Sequence, residues 1–196
     1  MSDPRIPLAA VLDQAGALIT TTDPADADLP TPCAEFDVAA LIGHLVAIPT
    51  RIAHIVGGGD AFEVPSELDI PARAWASEWA KVRATVDESL APDDVLQRPF
   101  RAPFRTMPTA VALGLYVTEF LIHGWDLARA TGREDQLDGA LANGIASVAL
   151  PQIRQAIPAD GRDAIPFGPV VEVPESASPF AQLLGWYGRD PEPAHV

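Results

Sequence analysis

Lysine occurs once in this chain, at Lys81, and cysteine once, at Cys33. A single cysteine excludes an internal disulfide and any metal site built from several thiolates. Cys33 lies in "TPCAEFD", ahead of a helix start and close to Glu35, where nothing lowers a thiol pKa. It is expected to pack as a small buried residue rather than act as a nucleophile. Basic side chains are also scarce: 13 against 27 acidic ones, for a formal charge of −14 and a pI near 4.4. Such a field repels nucleic acid and anionic membrane surfaces, which are thereby excluded as principal partners. A solvated acidic surface that keeps the protein soluble is the simpler reading. No apolar run of about 18 residues is free of charge, so no membrane span is expected. The opening "MSDPRIPLAA" lacks the basic leader and apolar stretch of a signal peptide, and a cytoplasmic location follows as the expectation. No phosphate loop or Ser–His–Asp order stands out. The "GGG" at 57–59 follows a helix and precedes acids, the reverse of a phosphate cradle.

What is present is helical periodicity. The length of 196 residues and 48% hydrophobic content suit one globular domain spanning 1–196. An apolar stripe of Leu8, Val11, Leu12, Ala15, Leu18 and Ile19 predicts a first helix over 6–21. Asp37 is an N-cap for a second helix, which Gly57 to Gly59 end and Pro49 should kink. Pro71 opens a third helix with Trp75, Trp79, Val82 and Val86 on one face, and Pro92 stops it. The proline-broken stretch 92–107 reads as a long crossover with room for a short hairpin. A fourth helix is predicted over 108–131 with Gly132 as its cap. A fifth covers 138–156, bent at Pro151, and "PFAQLLGWYG" forms a short last one. The expected fold is all-α: a helical bundle of four long helices, with one or two short extra helices and a long crossover.

The fourth helix carries the chemistry. It is apolar or small nearly all round, yet Glu119, His123 and Asp126, at i, i+4 and i+7, share one face of it. A carboxylate buried there without a partner is strongly disfavoured. The helix holds no lysine, and its one arginine, Arg129, is three turns past Glu119. A partner must come from another helix or from a divalent metal. The second helix offers His44, within "LIGHLV". Two ligands one turn apart on one helix, with a third from a facing helix, leave an open coordination position, as in catalytic sites. This donor mix suits zinc best and is also compatible with nickel, iron or manganese. Asp126 is then a candidate site residue, orienting His123 or a metal-bound water. Two plainer readings stand beside this one: His44 as a core histidine bonded to backbone, and Glu119 paired with His123 without any metal. His54, about 80° off the face of His44, and His195, in the terminal tail, fall outside the constellation.

The stretches "TPCAEFDVAALIGHLV", "MPTAVALGLYVTEFLIHGWDLARATG" and "FGPVVEVPESASPFAQLLGWYGRDP" resemble the DinB-like metalloenzyme superfamily. The branch they resemble is the one around the N-terminal domain of mycothiol-dependent maleylpyruvate isomerase, and the similarity covers nearly the whole chain. The resemblance implies an antiparallel four-helix bundle with one divalent metal, usually zinc, held at His44, Glu119 and His123. It also implies a mycothiol-like low-molecular-weight thiol as cosubstrate and a small electrophile as the second reactant. The metal would favour thiolate over thiol at neutral pH, which matches a chain whose single cysteine is unpromising. The expected activity is then metal-dependent S-transfer, or a thiol-assisted reaction. A metal-dependent hydrolase or biosynthetic tailoring enzyme that activates water, and a non-enzymatic metal-binding stress protein, are the alternatives. Isomerase activity is not carried over, because that enzyme has an additional C-terminal domain and this chain ends soon after its sixth helix. A homodimer stays open.

Overall fold

A computed structural model describes residues 3–102, 105–160, 162 and 168–192. The protein is mostly helical, with six helices and one two-stranded hairpin among the described residues. The chain divides into two compact units, Met1–Asp135 and Gln136–Val196.

In the first unit, α1 (Arg5–Thr21), α2 (Val38–Val56), α3 (Trp75–Leu90) and α4 (Thr109–Ala130) are the long elements. Both α1 and α2 pack against α3 and α4, which encloses the core between them. The α1 stripe read from the sequence, from Leu8 to Ile19, is buried throughout. Trp79 of α3 meets Phe120 of α4 edge to face, with ring centroids 6.2 Å apart. The 92–107 stretch contains the hairpin β1 (Pro99–Ala102) and β2 (Arg105–Pro108), antiparallel with Phe100 opposite Met107. Gly132, at φ 67°, takes the left-handed conformation that ends α4.

By length and composition α2 could cross a bilayer, but 67% of its most apolar window is buried inside the protein. It is the central core helix, and it runs through Pro49 as a single element. Its start is set by Asp37, whose carboxylate accepts from the Ala40 amide at 2.8 Å. Asp37→Ala removes that acceptor, and thermal unfolding should show a loss of about 1 kcal/mol, the usual magnitude for a lost N-cap.

The second unit holds α5 (Gly139–Ala156), which runs through Pro151, and α6 (Pro179–Trp186), packed on it. Ser178 caps α6 through the Ala181 amide at 3.2 Å. Asn143 of α5 accepts from the Phe180 amide at 3.2 Å. The Trp186 indole donates to the Ile157 carbonyl at 3.1 Å.

Candidate metal centre

The start of α2 and the middle of α4 bring His44, Glu119 and His123 together. One ligand atom from each lies within 4.8 Å of the other two. His44 Nε2 stands 3.3 Å from Glu119 Oε1, and the two imidazole rings meet edge to face at 4.9 Å.

Each histidine is held by its other nitrogen. His44 Nδ1 is 2.7 Å from the Ser66 carbonyl. A carbonyl only accepts, so Nδ1 carries the proton and Nε2 is turned toward Glu119. Ser66 belongs to the segment after α2, which lies directly on the helix: Leu68 donates to the Gly43 carbonyl at 3.2 Å. Only glycine fits at 43, because a Cβ there would stand 2.2 Å from the Leu68 oxygen. On α4, His123 Nδ1 lies 3.0 Å from Oδ2 of Asp126, which is fully buried. That contact engages Nδ1 and leaves Nε2 as the free ring nitrogen. Carbonyl and carboxylate tethers of this kind are how metal-ligating histidines are oriented.

The electrostatics pull in two directions at Glu119. Burial alone would raise the carboxyl pKa. The hydrogen bond with His44 and the charges of His44, His123 and Arg51 more than offset this, and the group sits below the usual carboxylate value. With Nδ1 of His44 already a donor, its Nε2 faces the Glu119 oxygen at 3.3 Å, a pair suited to sharing a cation. Two imidazoles and one carboxylate from two helices fit a divalent ion of the zinc type with a coordination position left over.

The loop before α2 closes over this group. Phe36 stacks on His44 at 4.9 Å and 27°, and meets His123 edge-on at 6.1 Å. Thr31 fixes that loop: its hydroxyl donates to the Phe36 carbonyl at 2.7 Å and accepts from the Cys33 amide at 3.1 Å. Cys33 is buried, as its sequence context suggested, but it also lies within 4.8 Å of donor atoms of His123 and Asp126. Neither Phe36 nor this placement of Cys33 was anticipated. The available signal was the aromatic just before the N-cap, two turns ahead of His44 in a helix it must fold back upon. His54 is elsewhere, paired with Glu63 at 2.6 Å, and Arg129 pairs with Glu134 at 2.8 Å. His195 lies outside the described residues.

The model of the mycothiol maleylpyruvate isomerase N-terminal domain matches residues 8–128, more than half of the chain. The chain belongs to that family. The matched region takes in α2 and α3 and most of α1 and α4, and with them His44, Glu119, His123 and Asp126. An uncharacterized protein of Mycobacterium tuberculosis, found in strains CDC 1551 and H37Rv, is similar to this chain, 28% identical over 191 residues. Those residues make up 95% of this chain and 98% of that one. The crystal structure of the mycothiol-dependent maleylpyruvate isomerase is a structural neighbour with a TM-score of 0.52 and 16% identity. The match covers 63% of this chain and 59% of that one, so the likeness is one of fold over part of the larger protein.

Proposed function

We propose that this protein is a metal-dependent enzyme that uses a mycothiol-like thiol as nucleophile toward a small electrophile. In this reading α1–α4 form an antiparallel four-helix bundle of the DinB-like kind, His44, Glu119 and His123 hold one divalent ion, and zinc is preferred. The observation that carries the reading is the pair of imidazoles, each tethered through Nδ1, that meet one carboxylate with a ligand atom of each group within 4.8 Å of the others. Membership in a family named for mycothiol supports the thiol.

When bound, the metal supplies Lewis acidity that favours thiolate over thiol at neutral pH. The chain's own residues do the rest. Ser66 and Asp126 lock the two rings, Glu119 supplies the one negative donor, and Phe36 covers a face of His44 and limits access of water. Asp126 is completely buried against His123 Nδ1, which suits a positioning residue better than a group that meets substrate. In the reaction, sulfur forms a bond to an electrophilic carbon, the thiol proton is released, and any leaving group departs with its electron pair. A cytoplasmic location is part of this reading, since mycothiol-like thiols are reduced there.

Titrating cobalt-substituted protein with mycothiol tests it. A new sulfur-to-cobalt charge-transfer band that saturates with thiol is the expected result. Cobalt bound in stoichiometric amount with no such band would overturn the thiol reading and leave activation of water as the chemistry of the site.

A further inference from the structure

Arg51 and Tyr116 extend the candidate centre along the α2–α4 seam. Arg51 stands seven residues after His44 on α2, two turns along the same face, and Tyr116 stands three residues before Glu119 on α4. With α2 and α4 antiparallel, as proposed above, Arg51 and Tyr116 fall on the same side of the His44–Glu119 contact. The charge of Arg51 is felt at both Glu119 and the Tyr116 hydroxyl.

Neither side chain is fully used by the fold. Arg51 Nη2 donates to the Pro65 carbonyl at 2.7 Å and the Val64 carbonyl at 3.3 Å, which ties down the segment that also carries Ser66. Its Nε is buried and has no hydrogen-bond partner among the described residues. Leaving a buried charged donor unpaired is costly, and such groups in native proteins usually await a ligand or a water. Tyr116 is 8% exposed, its ring packs edge-on against Phe100 at 5.8 Å, and its hydroxyl takes no partner among the described residues. Burial and the nearby Glu119 charge push that hydroxyl up to about 12, so at neutral pH it is a donor. A guanidinium and a phenol, both with unused donors beside a centre that binds a small molecule, form a recognition element for an anion. In a protein of formal charge −14 few other features would draw one in.

We infer that Arg51 and Tyr116 form a subsite for a carboxylate of the small molecule held at the His44–Glu119–His123 centre. The inference rests on the proposed metal-dependent function and adds a substrate class to it: at least one reactant carries a carboxylate a short reach from its reacting atom. Planar guanidinium donors match carboxylate geometry, and the tyrosine hydroxyl supplies a further hydrogen bond.

The carboxylate could belong to the thiol or to the electrophile, and two arms of one experiment separate these sources. In the first, cobalt-loaded protein is titrated with 3-mercaptopropionate and with 3-mercaptopropionamide, which differ only in carboxylate against neutral amide. In the second, propionate and propionamide are titrated calorimetrically into cobalt-loaded protein saturated with 2-mercaptoethanol. A preference of about tenfold for the acid over the amide is expected in one arm. Arg51→Gln should abolish it, Arg51→Lys should keep part of it, and Tyr116→Phe should reduce it, with cobalt stoichiometry unchanged throughout. The arm that shows the preference names the reactant. Equal affinity for acid and amide in both arms of the unaltered protein overturns the subsite alone, and so does a preference that survives Arg51→Gln. Protein that takes up no cobalt overturns the metal reading and this subsite with it.

Discussion

Replacing His123 with alanine is expected to lower zinc affinity by on the order of 100-fold, and His44→Ala by a similar factor. The magnitude follows from dividing about 10–16 kcal/mol of structural zinc binding among four ligands, which gives about 3 kcal/mol for each. At 1.4 kcal/mol per decade that is about two decades. Both rings are already oriented by fixed partners, Ser66 and Asp126, so little ordering cost offsets the loss. Glu119→Gln should cost less, because an amide oxygen is still a donor. It removes the one negative ligand, however, which faces His44. Competition against a chromophoric chelator measures all three variants, with circular dichroism confirming that the helices persist. The ligand set is wrong if His44→Ala and His123→Ala both retain the affinity of the unaltered protein.

Much of the fold was legible because its signals are local. The α1 stripe repeats with helical period and is buried from Leu8 to Ile19. The α2 boundary follows from Asp37 and the glycines that end the helix, and the α4 boundary from Gly132. The same periodicity put Glu119, His123 and Asp126 on one face of α4. The contact across to His44 needed the further argument that a buried carboxylate requires a partner. Pro49 and Pro151 were expected to bend their helices; the structure assigns each helix as a single element spanning its proline. The sequence leaves room for a hairpin in 92–107 without identifying it, since two strands of four residues carry too little alternation.

What the sequence could not show is tertiary and depends on loops. Ser66 reaches His44 through its backbone carbonyl, so no side-chain identity announces it. The close approach at Gly43 hints at the contact only once Leu68 is known to lie there. Phe36 and Cys33 come from a loop whose path Thr31 fixes by two hydrogen bonds, and no periodic pattern reports such a path. Arg51 reads from sequence as an ordinary charged residue toward the end of a helix. Its interest arises from burial of Nε and from Tyr116 on a different helix, neither of which spacing reveals. Helical repeat therefore announces side chains that share a helix face, whereas backbone contacts between distant segments leave no such mark in the sequence.

Asp126 is where these two kinds of placement meet, and its replacement separates orientation from stability. Its carboxylate lies on the same helix as His123, three residues on, and is fully buried. Asp126→Leu removes the acceptor at His123 Nδ1, so the ring is free to rotate or to exchange tautomers. Zinc affinity should then fall by about 10–100-fold, the range for loss of a partner that orients a metal-ligating histidine. Asp126→Asn keeps a neutral oxygen acceptor of the same shape and should lie between the two. The decisive comparison sets zinc affinity beside the melting temperature of zinc-free protein. A positioning role lowers affinity in the order Asn then Leu, whatever happens to the zinc-free melting temperature. If Asp126→Leu shifts only that melting temperature and binds zinc as tightly as the unaltered protein, Asp126 is a buried structural partner of His123 and has no part in preparing the centre.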